Sequence, residues 1–150
     1  MALALVESED RCEEIDRLGE KIAELSAHID AATYRLLVLI ADFDERNGWN
    51  TGFRCCAHWL NWRTGLAMGA ARERVRVARA LRALPRLSEG LQSGELSYSK
   101  VRALTRVATA ENEEELLSFA ETGTADHVEK LVRLWRRADR NEDNREEQRR

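Results

Sequence analysis

Between residues 15 and 43 one row of apolar side chains runs through Ile15, Leu18, Ile22, Leu25, Ile29, Ala32, Leu36, Leu39 and Phe43. The spacing alternates three and four without a break, which is the a/d repeat of a helix with a long apolar seam. Such a helix is predicted over about Asp10 to Arg46, ended by Asn47-Gly48, and at 1.5 Å per residue it would be about 55 Å long. A seam of that regularity has to be covered. An intramolecular bundle is the first expectation and a homodimer interface the alternative, since no other single helix in the chain has equal length.

The rest of the chain reads as shorter helices. FRCCAHWLNWRTG suits a helix whose Ala57, Leu60 and Trp62, with Trp59 beside them, pack inward, and Gly65 suits the left-handed turn after it. Ala70 to Leu84 form a third helix. Pro85 starts a fourth, which Gly94 ends near Ser93. Ser97 is placed to cap Tyr98 to Ala108. A further helix begins near Thr109 or Ala110, with Glu111, Glu113 and Glu114 at the positive end of its dipole. Thr124 caps the last helix, whose apolar stripe is Val128, Leu131, Val132, Trp135 and Ala138. No stretch alternates with period two, and the chain has one Pro and eight Gly. The expected fold is an all-α multi-helix bundle with one long N-terminal helix and a helix-turn-helix-like centre. Residues 1–138 are expected to form a single domain. Residues 139–150, without an apolar side chain, are expected to be a charged helical tail or linker, as at the edge of a fragment of a longer protein.

Net charge is −3, but it is unevenly spread. Residues 1–53 carry 5 basic and 12 acidic groups, residues 54–106 carry 11 and 3, and residues 107–150 carry 8 and 12. A basic middle between acidic flanks suits an anion-binding patch, or a middle that the flanks neutralise. On the helical wheel Arg72, Arg76 and Arg79 fall within about 60° of one another, opposite Val77, Leu81 and Leu84. Helix, glycine turn and arginine-striped helix together form the order of a helix-turn-helix. The candidate nucleic-acid contacts are Arg72, Arg76 and Arg79 in or beside the major groove of double-stranded DNA, with Arg54, Arg63, Arg82, Lys100 and Arg102 on phosphates. A solvated basic face is the alternative.

Catalytic chemistry finds little footing. There is no Ser-His-Asp order, phosphate-binding Gly loop or nucleophile elbow. Cys55, Cys56 and His58 lie close in sequence but lack the four ligands of a zinc site, so no metal or other cofactor is expected. The three Cys form no disulfide framework, MALALVESED is too short and acidic for a signal peptide, and LLVLIA is too short to span a bilayer. A cytoplasmic protein without a membrane partner is expected.

The stretches AHWLNWRTGL, AARERVRVARALRALP and GELSYSKVRALTRVA, within about Ile22 to Arg137, resemble the domain of unknown function 222 family of actinobacterial proteins. The resemblance implies a helical region that usually stands ahead of an HNH nuclease domain. It implies no activity for this region itself, and the paired His and Asn of an HNH hairpin are absent here. The run from Gly65 to Val107 is also similar, more weakly, to the helix-turn-helix of partition proteins, matching at Arg72 to Leu84, Leu84-Pro85 and Gly94 to Ser97. Such turns often place Ser or Thr before the reading helix. Here Ala67 and Met68 stand there, which removes a cap worth about 1 kcal/mol and one phosphate-contacting hydroxyl.

Overall fold

The computed structural model describes all of residues 1–150 and contains seven helices and no strand. They are α1 (Ala2–Glu45), α2 (Cys56–Thr64), α3 (Met68–Leu81), α4 (Pro85–Ser93), α5 (Tyr98–Leu104), α6 (Glu113–Thr122) and α7 (Ala125–Arg149). The all-α class and the long first helix are as the sequence led us to expect. The boundary signals hold at Gly65 and Gly94, both at φ 79°, at Pro85, and at the Ser97 and Thr124 caps.

Several boundaries move, one of them through a side chain distant in sequence. Helix α1 begins at Ala2, well before Asp10, and at 44 residues is about 66 Å long. Helix α3 stops at Leu81 because Leu84 precedes Pro85 and is held extended, at φ −126° and ψ 75°. Ser88 Oγ donates to the freed carbonyl of Leu81 at 2.9 Å. Helix α5 ends at Leu104 and not near Ala108. Arg76 Nη2 and Thr105 Oγ1 both donate to the Arg102 carbonyl, the acceptor that Arg106 N–H would need to continue the helix, and Arg106 N–H turns to Ala103 O instead. After it, Thr109 and Asn112 bond each other reciprocally, so α6 starts at Glu113. At the other end of the chain α7 runs unbroken past Ala138 to Arg149.

The core gathers Leu37, Ile40 and Ala41 of α1 with Leu60, Val77, Leu81, Leu87, Leu91, Val101, Leu104, Leu116 and Val128. Helix α1 meets it through a face of mostly small residues: Ala27, Ala31, Tyr34, Leu37 and Ala41. Gly94 lies against that face. A Cβ there would come within 2.8 Å of Ala27 O, and its φ of 79° is itself a glycine conformation.

The short helices are closed by charged side chains from other helices. Asp30 Oδ1 of α1 accepts from Tyr98 N–H at the start of α5, at 3.0 Å. Lys100 Nζ of α5 donates to Ala120 O near the end of α6, at 2.8 Å. Glu113 of α6 is buried and accepts from Leu87 N–H in the first turn of α4, at 2.9 Å, where Leu84 offers no side-chain cap. Each group satisfies an end that the short helix cannot satisfy itself. Glu113→Ala leaves Leu87 N–H buried without a partner and is expected to cost about 1–3 kcal/mol in urea unfolding. Glu113→Gln keeps an acceptor oxygen and should lose less; equal losses would show that the side chain matters only as volume.

Candidate functional site: an exposed seam and a basic groove

The heptad seam does not face the body. Ile15, Leu18, Ile22, Leu25 and Ile29 retain 58–69 % of their surface exposed, and every residue from Met1 to Ser26 is exposed. On the helical wheel the seam lies roughly 140° from the face that α1 docks. The expected intramolecular bundle seam is thus not what covers these residues. The docked face is a different row, rich in Ala, which an apolar count overlooks. About 39 Å of helix projects past the body carrying its apolar edge into solvent. Gly19 sits in the middle of this stretch, where it costs about 1 kcal/mol relative to Ala, and a Cβ on it would meet nothing within 4 Å. Nothing within the chain accounts for glycine there.

Toward its C-terminal end the seam runs into an apolar groove between α1 and α2, lined by Leu36, Leu39, Phe43, Trp59, Leu60 and Thr64. Phe43 and Trp59 pack with ring centroids 4.2 Å apart. Trp62, expected to point inward, is instead 66 % exposed beside Phe53, at 5.3 Å between centroids. Trp59 takes the inward position on this short helix together with Ala57 and Leu60.

The arginine stripe is largely engaged inside the fold. Arg79 forms a two-point pair with Asp44 near the end of α1, at 2.6 and 3.0 Å, and its already high pKa is raised further, chiefly by that hydrogen bond. Arg82 pairs with Glu45 and Arg86 with Glu114. The acidic flanks therefore do neutralise part of the basic middle. Arg76 bonds Glu73 at 3.0 Å, Thr105 Oγ1 at 3.2 Å and Arg102 O at 3.0 Å, stapling α3 to the end of α5. Arg102 and Arg106 reach the same Glu73 at 3.0 and 3.1 Å. Of the eight candidate contacts, Arg76, Arg79, Arg82 and Arg102 are in ion pairs and Lys100 holds Ala120 O, while Arg54, Arg63 and Arg72 are exposed and pair with no carboxylate. Ala67, at the N-cap of α3, makes no side-chain cap bond, as the missing Ser or Thr implied. Arg74, off the stripe, stacks over the Tyr98 ring at 3.8 Å.

One cationic feature joins Arg102, a candidate from the sequence, with arginines of a distant segment. Arg102 and Arg106 of α5 and Arg133 and Arg136 of α7 line one groove, with Glu129 as its acidic member. Arg133 and Arg136 have no ion-pair partner, and one Glu73 serves the three guanidiniums of Arg76, Arg102 and Arg106. The groove keeps a positive excess. Because α5 and α7 are far apart in sequence, only their packing reveals it.

Near the cysteines no cluster of three metal-ligating side chains forms. Cys56 is buried in the core, and burial, with Asp44 adding to it, raises its thiol pKa to about 11, so it stays protonated and unreactive. Cys12 is exposed. No helix is long and apolar enough to cross a membrane.

The family model described as Domain of unknown function (DUF222) matches residues 16–145. The chain belongs to this family. No curated protein and no solved structure gives a significant match to it. The matched range takes in the exposed seam from Leu18 onward, the arginine helix and the basic groove, so these are features of the family's domain as this member carries it.

The Glu73 cluster makes acid sensitivity testable. The Arg76 hydrogen bond, with the charges of Arg76, Arg106 and Arg102 assisting, holds the Glu73 pKa below its ordinary value against a smaller opposing effect of burial. A carboxylate whose pKa is lower folded than unfolded adds stability above the unfolded value, near 4.5, and that stability disappears as pH falls through the folded value. Glu73→Gln should therefore lower the Tm at pH 7 and flatten its decline below pH 5. An unchanged decline would place the acid-sensitive contact elsewhere.

Proposed function

We propose that this domain is a self-association module in which the free half of α1 pairs with the same helix of a second copy. The observation that carries the reading is the unbroken seam of Ile15, Leu18, Ile22, Leu25 and Ile29 standing in solvent on a helix that the body leaves uncovered. Its heptad places Ile at each a position and Leu at both d positions over this stretch, an uninterrupted row of large apolar side chains of the kind that a helical pair buries. Ten side chains leave water on pairing, each worth about 1–2 kcal/mol at its present exposure, against an association cost on the order of 4–15 kcal/mol. A second copy suits the seam because a heptad edge is complementary to itself, and the remaining free helix, the end of α7, has no apolar row to offer. In relatives of the kind the sequence resembles, where such a region stands ahead of a nuclease domain, pairing would set two catalytic units in a fixed relation.

Sedimentation equilibrium is expected to give twice the 17.2 kDa chain mass at micromolar concentration. Leu25→Glu should reduce it to the monomer while the body, which Leu25 does not touch, keeps its near-UV spectrum. A monomeric wild type at 100 μM would remove the reading.

Nucleic-acid contact is the second reading, and the groove between α5 and α7 favours it. Arg133 and Arg136 are in no ion pair there, beside Arg102 and Arg106 and with Glu129 as the acidic lining residue, and four guanidiniums on two helices suit successive phosphates. Arg54 just before α2, Arg63 on α2 and Arg72 on α3 remain available, whereas Arg76, Arg79 and Arg82 serve the helix-turn-helix order by holding α3 in place. A fluorescein-labelled duplex in 50 mM KCl should bind, with affinity falling steeply by 200 mM. Arg133→Ala with Arg136→Ala should weaken it at least tenfold, and the Arg54, Arg63 and Arg72 triple Ala variant tests the other surface. Absence of binding by the wild type at 50 mM KCl ends this reading.

A further inference from the structure

We infer that the paired α1 helices run antiparallel, with Ile22 of one chain opposite the partner's Leu25, so that the two globular bodies lie at opposite ends of the seam. This rests on the self-association proposed above. It follows from three features that self-association alone leaves unexplained.

The first is charge. With Ile15, Ile22 and Ile29 at the a positions, the flanking g positions hold Glu14, Lys21, His28 and Arg35, and the e positions hold Gly19, Ser26 and Thr33. In a parallel pair each g residue faces an e residue of the other chain. Glu14 would face the partner's Gly19, Lys21 the partner's Ser26 and His28 the partner's Thr33, and no charge would meet its opposite. In an antiparallel pair g faces g. With Ile22 opposite the partner's Leu25, Glu14 lies opposite the partner's Arg35 and Lys21 opposite the partner's His28, each contact occurring twice by symmetry; the first brings opposite charges together. Glu14 and Arg35 are exposed and neither has an ion-pair partner within the chain.

The second feature is the extent of the open seam. The part of it that lies outside the groove between α1 and α2 runs from Ile15 to Ala32 and is centred between Ile22 and Leu25; Leu36 and Leu39 are exposed too, but they line that groove. The antiparallel register about that centre matches Ile15 with the partner's Ala32 and Leu18 with the partner's Ile29, so every layer from Ile15 to Ala32 finds an apolar partner, while Leu36 and Leu39 in the groove fall opposite the partner's Arg11 and the partner's Ser8. Beyond Ala32 the seam is flanked by the chain's own α2, with Trp59 on Phe43 and Ile40 buried. A parallel pair would bring both α2 helices to the same end of the two-fold axis. The antiparallel pair sends each body to the end where the other chain has only its free helix.

The third feature is Gly19. In the antiparallel register the e positions face one another, and Gly19 lies beside the partner's Ser26. Two small residues on that flank let the backbones approach closely, a use for a glycine that no contact within its own chain provides.

Disulfide trapping decides the orientation. With Cys12 and Cys55 changed to Ser and the buried Cys56 left in place, Leu18→Cys and Ile29→Cys chains are oxidised separately and as an equimolar mixture. The antiparallel pair gives a crosslinked heterodimer in the mixture and no crosslink in either chain alone. Self-crosslinking of Leu18→Cys alone in a chain that sediments as a dimer overturns the orientation and leaves self-association standing. No crosslink in any sample of a dimeric chain overturns the seam register. A chain that sediments as a monomer overturns both. As an independent measure, Glu14→Arg and Arg35→Glu should each weaken dimerisation by roughly tenfold, and the double reversal should restore it. Additive losses in the double variant count against the pairing.

Discussion

A helix of seven to ten residues does not hold itself together in water, and three consecutive helices of this domain are that short. Their existence depends on charged side chains arriving from elsewhere to satisfy their ends. Asp30 closes the start of α5, Glu113 the start of α4, Arg76 the end of α5 and Lys100 the end of α6. Each contact joins two helices as it caps one, so capping and tertiary docking are the same interaction here. It follows that Arg76, Arg79, Arg82, Lys100 and Arg102 in the middle of the chain already serve the architecture, while Arg54, Arg63 and Arg72 do not. The arginine helix shows this most plainly. Arg76 and Arg79 lie on the face a groove-reading helix would present, yet one secures α5 and the other secures the end of α1.

Local chemistry in the sequence made the boundaries that rest on backbone geometry readable. Pro85, Gly65, Gly94, Ser97 and Thr124 act within one turn of their own position, and each was found where its residue type implied. The end of α5 was not readable, because it is set by Arg76, which lies 26 residues from the carbonyl it takes. The role of Glu113 was hidden for the same reason. Its place in a first turn suits the helix dipole of α6, but its burial comes from the N–H of Leu87 on another helix. The basic groove between α5 and α7 belongs to the same class, since no spacing within either segment foretells that their arginines share one surface.

The heptad row forms one edge of α1 as its spacing implies, but the intramolecular packing that was the first expectation does not cover it. Two rows run along α1, and the more hydrophobic one is not the one that docks. The body uses Ala27, Ala31, Tyr34, Leu37 and Ala41, where small side chains permit the close approach that brings Ala27 O against Gly94. Helix–helix contacts at short range select small residues, whereas a count of large apolar side chains selects the opposite row. The two requirements separate cleanly because α1 is long enough to meet both, one along its C-terminal half and the other along the half that projects.

That separation bears on what the domain can transmit. Asp44 and Glu45 at the end of α1 are held by Arg79 and Arg82 of the arginine helix, so α1 is tied to α3 at its base and free at its tip. A partner gripping the free half acts on a rigid rod of 44 residues whose other end is fixed by ion pairs and by the Asp30 cap on α5. Reorientation of the rod would have to break those contacts together, since all of them lie on α1 or on the helices it docks. The arginines on the face of a reading head thus join the buried Leu37, Ile40 and Ala41 in holding the base of α1 against the body, from which the exposed row departs.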